Sequence, residues 1–221
     1  MKASDLFAQC LQKEGVEVVF GVPGVESLDL MESLSKTRVR FIAARSEHGA
    51  AFMADAYARV TGKAGVCMVA AGASATNIVT GLAVATMDHS PVLAITWQKK
   101  LSRIQREPYQ SIDIASVLKP VTKWRTQVVL PDLIPEAVHK VFRISQTEGM
   151  GACHIDFPED VAVLDVNAAP MEPASLRRPA PPDRILDGAA ELIDNASKVV
   201  VLAGHGSLRC EAGEELCSFV E

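Results

Sequence analysis

Val39-Arg40-Phe41-Ile42-Ala43-Ala44-Arg45-Ser46-Glu47-His48-Gly49-Ala50-Ala51-Phe52-Met53-Ala54 runs from a short apolar segment into an alanine-rich one, with one carboxylate at the junction. The first part reads as a β-strand and the second has helical spacing, so the junction is a strand-to-helix turn. In α/β folds such turns gather at the carboxyl edge of the sheet, where helix N-terminal amides favour an anion. Glu47 is therefore the first catalytic candidate. A first-turn glutamate that merely complements the helix dipole fits the same position, so the neighbouring loops have to decide between the two.

The alternation extends on both sides of this junction. Helical spacing covers residues 3–14, 27–35, 47–61, 75–87 and 131–147, and strand runs cover 16–20, 40–44, 64–70, 91–96, 121–128 and 152–157. Val66-Cys67-Met68-Val69 and Val92-Leu93-Ala94-Ile95 are apolar along their whole length, as strands covered on both faces are. The expected class is α/β, a mostly parallel sheet flanked by helices on both faces, spanning residues 1–163. Residues 164–182 contain five prolines and read as a stiff linker. Residues 183–221 read as the incomplete start of a second, Rossmann-like α/β domain. Its expected elements are a helix over 184–195, a strand over 198–202 and a helix over 208–220, too few to close a core alone. That points to a fragment or to completion by another chain.

Composition narrows the function. Hydrophobic residues make up 48% of the 221, enough for a substantial core. With 22 basic against 27 acidic residues the net charge is −5, and no Lys/Arg run marks a nucleic-acid footprint, so small-molecule chemistry is expected. Cys10, Cys67, Cys153, Cys210 and Cys217 are odd in number and lack CxxC spacing. That argues against a disulfide framework or a structural zinc and suits reduced thiols in the cytoplasm. No apolar stretch reaches the ~18–20 residues of a membrane span, and no signal peptide is visible.

Three more loops follow strands. Gly21-Val22-Pro23-Gly24 allows a sharp turn and close backbone approach to a ligand. Ala71-Gly72-Ala73-Ser74-Ala75-Thr76-Asn77 leaves a strand and opens a helix with small residues and free amides. Trp97-Gln98-Lys99-Lys100 supplies a third edge. Each could be an ordinary βα turn, but three loops and Glu47 converging on one sheet edge favour a site. Gly204-His205-Gly206-Ser207-Leu208-Arg209 lacks the third glycine of a dinucleotide fingerprint.

Gly21-Val22-Pro23-Gly24, the run Arg45 to Arg59, Thr61-Gly62-Lys63, Ala75-Thr76-Asn77, Met87-Asp88-His89-Ser90-Pro91-Val92, Tyr109-Gln110-Ser111-Ile112-Asp113, Lys119-Pro120-Val121-Thr122-Lys123 and Ile155 to Val161 follow one another in a familiar order and spacing. Together they resemble the N-terminal pyrimidine-binding domain of thiamine-diphosphate enzymes of the acetolactate synthase type. Residues 198–221 resemble the opening of that family's middle domain.

The resemblance implies a 2-oxo acid decarboxylase or carboligase. In it Glu47 would hydrogen-bond N1′ of the cofactor aminopyrimidine and promote the imino tautomer that takes the proton from thiazolium C2. A desolvated glutamate with a raised pKa is expected in that role. Pro23, Gly24, Gly72, Ala73, Thr76 and Asn77 would pack against the pyrimidine, and Trp97, Gln98, Tyr109 and Gln110 would line the substrate side. The family's Gly-Asp-Gly motif for Mg²⁺ and diphosphate does not occur in this sequence. No metal ligand is therefore expected here, and the diphosphate end would be held by a C-terminal domain or a partner. The resemblance further implies a homodimer or homotetramer through the pyrimidine domain and leaves FAD open. Same-fold relatives such as pyruvate oxidase, sulfoacetaldehyde acetyltransferase and aldehyde lyases, or a non-catalytic dimerising module, are the alternatives. The chain departs from the pattern at Ala73-Ser74 (commonly Pro-Gly), Trp97 (Gly), Ser46 (His) and His48 (Gln). Trp97 is expected to add bulk beside the cofactor or substrate.

Overall fold

The computed structural model describes residues 1–106, 108–175, 180–210 and 212–221. The chain divides into two compact units, Met1–Leu176 and Arg177–Glu221.

In the first unit six strands form one all-parallel sheet: β1 (Val18–Val22), β2 (Arg40–Ala43), β3 (Gly65–Val69), β4 (Val92–Gln98), β5 (Trp124–Gln127) and β6 (Ala152–Pro158). Their spatial order is β2-β1-β3-β4-β6-β5. The helices are α1 (Ala3–Lys13), α2 (Leu28–Ser35), α3 (Glu47–Thr61), α4 (Ala73–Thr76), α5 (Val79–Met87), α6 (Ile114–Val117), α7 (Ile134–Gln146) and α8 (Glu159–Ala162).

Side chains alternate along a strand, so the sheet builds a core on each face. On one face Leu93, Ile95 and Trp97 of β4 join Phe157 of β6 and meet Leu6, Phe7 and Leu11 of α1, Leu30 of α2 and Val138 and Phe142 of α7. On the other, Val92 and Ala94 join Cys67 and Val69 under Ala50, Ala51 and Ala54 of α3 and Leu82 of α5. The small residues of α3 let its backbone approach β3 closely. A Cβ on Gly65 would lie 2.0 Å from the Ala54 carbonyl oxygen, so glycine is required there. This tight seat fixes the direction in which α3 presents Glu47.

Several expected boundaries move. The single helix over 75–87 is two helices, α4 and α5, with Asn77 and Ile78 between them. The strand expected over 121–128 is confined to Trp124–Gln127, because Lys119–Val121 forms a 3-10 turn. Residues 164–166, at the start of the expected linker, are tied to the N-terminus. Met1 and Val166 exchange backbone hydrogen bonds, and Ala3 N–H donates to the Leu164 carbonyl at 2.8 Å. Residues 176–179 of the expected linker lie outside the described residues.

The second unit contains α9 (Asp183–Asp194), α10 (His205–Arg209) and α11 (Gly213–Val220). The helix expected over 208–220 is thus divided, and its residue 211 lies outside the described residues. The strand expected over 198–202 does not form among the described residues. A ladder needs a second extended segment to take up its amides and carbonyls, and no strand is present among this unit's described residues to supply one. Its apolar residues Val200 and Leu202 are exposed.

Cys153 and His154 are both buried, and His154 belongs to a polar cluster inside the first unit. The Thr96 hydroxyl donates to Asp156 Oδ1 at 2.8 Å and lies 2.7 Å from His154 Nε2, while the Gln127 amide donates to Asp156 Oδ2 at 2.7 Å. With the one hydroxyl proton given to Asp156, Thr96 accepts from an Nε2–H imidazole. Burial drives His154 down to about 3, with the Arg125 charge adding to it. Burial raises Asp156 from 3.8 to about 6 against the opposing bonds from Gln127 and Thr96. Buried, neutral His154 adds stability as pH rises through this range, whereas native Asp156 keeps its proton to higher pH than the unfolded chain does, so its own contribution falls from about pH 4 to about pH 6, by up to about 3 kcal/mol. Asp156→Asn is expected to remove that slope. Urea midpoints measured across this range should differ between the two proteins by a pH-dependent amount, and a constant difference would refute the buried-acid account.

Candidate functional site

β1 leads to β2 on one side of it, and the chain then returns to β3 on the other, so the order of strands reverses between β1 and β3. A crevice over the carboxyl ends at such a switch point is where open parallel sheets bind ligands. The loop after β1 carries Pro23 and Gly24. Gly24 N–H donates to Ser27 Oγ at 3.1 Å, and the Ser27 hydroxyl donates back to the Gly24 carbonyl at 2.7 Å. A Cβ on Gly24 would sit 2.7 Å from Ala70 Cβ, so this loop and the one after β3 are in direct contact.

The loop after β3 turns at Gly72, with φ +67° and ψ −130°, a conformation costly for any residue bearing a Cβ. A side chain there would also meet the Gln110 backbone, with Cα 2.8 Å and O 2.5 Å away. Gly72 thus seats the segment 108–113 over the start of α4, and Gln110 itself adopts φ +62°. Thr76 closes α4 by donating to the Ala73 carbonyl at 2.7 Å.

Glu47, the first residue of α3, is partly buried and faces α4. The Ser74 hydroxyl donates to its Oε1 at 2.6 Å, and the Asn77 amide donates to Oε2 at 3.2 Å. Burial pushes the carboxyl pKa up, but the Ser74 bond, Glu47's own helix-start amide, the Asn77 bond and the nearby His48 charge outweigh it. The net effect is a pKa below the ordinary glutamate value, contrary to the expected rise. Both oxygens keep free lone pairs, so the group can still accept an N–H or share a proton with a weakly basic ring nitrogen.

The four expected substrate-side residues do not gather. Trp97 is fully buried on the sheet face covered by α1 and α7, its ring 5.3 Å from that of Phe157, which in turn stacks on Phe7 at 4.9 Å. Strand alternation sends Thr96 and Gln98 one way and Trp97 the other, so the tryptophan fills core and adds no bulk to the crevice. Gln98 is also buried. Its amide donates to the Ile112 carbonyl at 2.8 Å and its oxygen accepts the Lys99 N–H at 3.0 Å, which spends the side chain on holding segment 108–113. Tyr109 projects outward, 83% exposed, and Gln110 reaches Gly72 through its backbone.

Two features escaped the sequence reading. Ser74 was visible only as a departure from the family pattern, and its reach to Glu47 depends on how α4 sits. Glu26 is buried in the loop after β1 and forms an ion pair with Lys99 after β4. Because β3 lies between β1 and β4, this pair joins the loops on either side of the end of β3. Burial raises the Glu26 pKa, but the Lys99 bond and charge, with Glu26's own backbone amide, bring it below the usual range. The Glu–Lys character could have suggested a pair, but 73 residues of separation could not.

A flat ring fits what this edge offers: glycine and alanine backbone at residues 70–73, and a carboxylate with spare acceptor capacity. Among the described residues no group of three or more His, Cys, Asp or Glu is placed to hold a metal ion.

Residues 1–117 match the family model described as the N-terminal TPP binding domain of thiamine pyrophosphate enzymes. All of this chain aligns with a probable acetolactate synthase large subunit of Methanocaldococcus jannaschii, 37% identical and covered over 39% of its length. The acetolactate synthase large subunit of Corynebacterium glutamicum is 36% identical, again over all of this chain and 36% of the relative. A glyoxylate carboligase of Escherichia coli O157:H7 is 33% identical over all of this chain and 38% of its own length. The chain spans about two fifths of the length of these curated relatives. With a parallel sheet, a switch-point crevice of small residues, a glutamate on its rim and a family match over more than half its length, the chain belongs to the thiamine pyrophosphate enzymes, within their N-terminal cofactor-binding domain.

Proposed function

We propose that this chain is the cofactor-activating part of an acetolactate-synthase-like enzyme that decarboxylates a small 2-oxo acid and joins the product to an acceptor. The observation that carries this reading is Glu47, held as an oriented acceptor on the rim of the switch-point crevice. Pro23, Gly24, Gly72, Ala73, Thr76 and Asn77 would form the wall for the aminopyrimidine, with Glu47 taking and returning a proton at its ring nitrogen. Bound thiamine diphosphate supplies the electron sink for decarboxylation. The diphosphate and Mg²⁺ would be held outside this chain, and FAD would serve as an accessory group where the rest of the protein provides for it.

The domain would work in a homodimer or homotetramer, with the pyrimidine face of one subunit meeting the diphosphate end of another. Cytoplasmic residence is supported by five unpaired cysteines, of which Cys10, Cys67 and Cys153 are buried with thiols pushed up to about 12, 12 and 11. The likeness to glyoxylate carboligase over the whole chain supports a second reading with the same cofactor chemistry and a different 2-oxo acid.

The test is a substrate panel on the full-length enzyme loaded with thiamine diphosphate and Mg²⁺. Pyruvate, 2-oxobutyrate and glyoxylate would be supplied singly and in pairs, with carbon dioxide release and product mass as readouts. Release from one of them, with a coupled product, is expected. No release from any would overturn the reading.

A further inference from the structure

Ser74 and Asn77 lie three residues apart on one turn, so their side chains share a face. Between them they donate one hydrogen bond to each oxygen of the Glu47 carboxylate, at 2.6 and 3.2 Å. The shorter bond comes from Ser74, at the position where the family resemblance has glycine and where no side-chain donor would exist. We propose that Ser74 is a positioning residue for Glu47: its hydroxyl fixes the rotation of the carboxylate and holds it as a ready acceptor, a device this chain carries in place of a bare backbone turn. The proposal rests on the reading of Glu47 as the cofactor-activating acid.

Three features of the site support it. Glu47 starts α3, whose close seat against β3 gives the carboxylate a fixed base from which to be oriented. Ser74 is the second residue of the short helix α4, which Gly72 aims and the Gln110 backbone covers, so the donor is also fixed in place. A charge-assisted O–H···O⁻ bond of this length lies at the strong end of side-chain hydrogen bonds. It lowers the proton affinity of Glu47 and competes for one of the lone pairs on Oε1. The groups facing Glu47 are Ser74 from α4, Asn77 just after it and, on its own helix, His48.

The experiment compares wild type, Ser74→Ala, Ser74→Gly, Ser74→Thr and Glu47→Gln in the full-length enzyme. Thiamine diphosphate affinity is measured by calorimetry across pH, and exchange of the cofactor C2 proton is followed over the same range. Loss of the hydroxyl in Ser74→Ala or Ser74→Gly is expected to move the acid limb of both profiles upward by about one pH unit, a ~tenfold change in proton affinity. Ser74→Thr, which keeps the hydroxyl, is expected to restore the wild-type limb. A merely structural serine would lower affinity evenly across pH and would not distinguish threonine from alanine in this way. Unmoved limbs in both Ser74→Ala and Ser74→Gly, with exchange still lost in Glu47→Gln, would overturn the proposal and leave the function standing. Unchanged exchange in Glu47→Gln would remove Glu47 from the chemistry and the proposal with it.

Discussion

Glu47→Gln in the full-length enzyme is expected to slow exchange of the cofactor C2 proton by about 10²–10⁴-fold, the span of a lost general acid–base group, while the protein stays folded. Glutamine keeps the length of the side chain and one oxygen to receive the Ser74 hydroxyl, but loses the charge and the ability to hold a proton. Its amide would also face the Asn77 amide, donor against donor, so Asn77 would have to turn. Because Glu47 is only partly buried at a helix start, the stability change should stay within about 1 kcal/mol. Exchange followed by proton NMR on bound cofactor gives the answer directly. A rate within twofold of wild type would mean that the glutamate serves only the helix dipole.

Trp97→Ala is expected to cost about 3–5 kcal/mol of stability, the range for deleting a buried aromatic side chain. The ring is fully buried, packs on Phe157 and stands behind the Phe157–Phe7 stack, so its removal leaves a void next to two other large rings. The indole Nε1–H has no hydrogen-bond partner in its buried site. Trp97→Phe discards that unsatisfied donor along with some volume and should lose less than half as much. Urea unfolding measures both. A pocket role for Trp97 would give the opposite pattern, with near-normal stability and an altered choice of substrate in the full-length enzyme. That pattern would return the tryptophan to the substrate side.

Much of the architecture was legible because its signals are local. Helical and strand periodicity over a few residues placed α3 at Glu47–Thr61 and found each strand of the parallel sheet to within a few residues. The glycine-containing loops after β1 and β3 were likewise readable, since turn chemistry is written in adjacent residues. The helix over 75–87 failed locally too. Nothing in its composition announces the break at Asn77 and Ile78, which is what lets Ser74 and Asn77 turn toward Glu47. Residues 198–202 show the reverse case, a good strand sequence that has no strand to pair with.

The sequence by itself determined the fold class, the position of Glu47 at a helix start and, through ordered motifs, the cofactor family. Only the tertiary structure decided that Trp97 faces the core, that Gln98 is spent on the Ile112 carbonyl, and that Glu47 is held as an anion below its ordinary pKa. The physical reason is distance along the chain. Which face of a strand is covered depends on helices packed from elsewhere, and a carboxylate's charge depends on donors that meet it only in three dimensions. Ser74 lies 27 residues from Glu47, and Lys99 lies 73 from Glu26. No local pattern encodes either contact; they exist because β2, β1, β3 and β4 lie side by side and end at one edge.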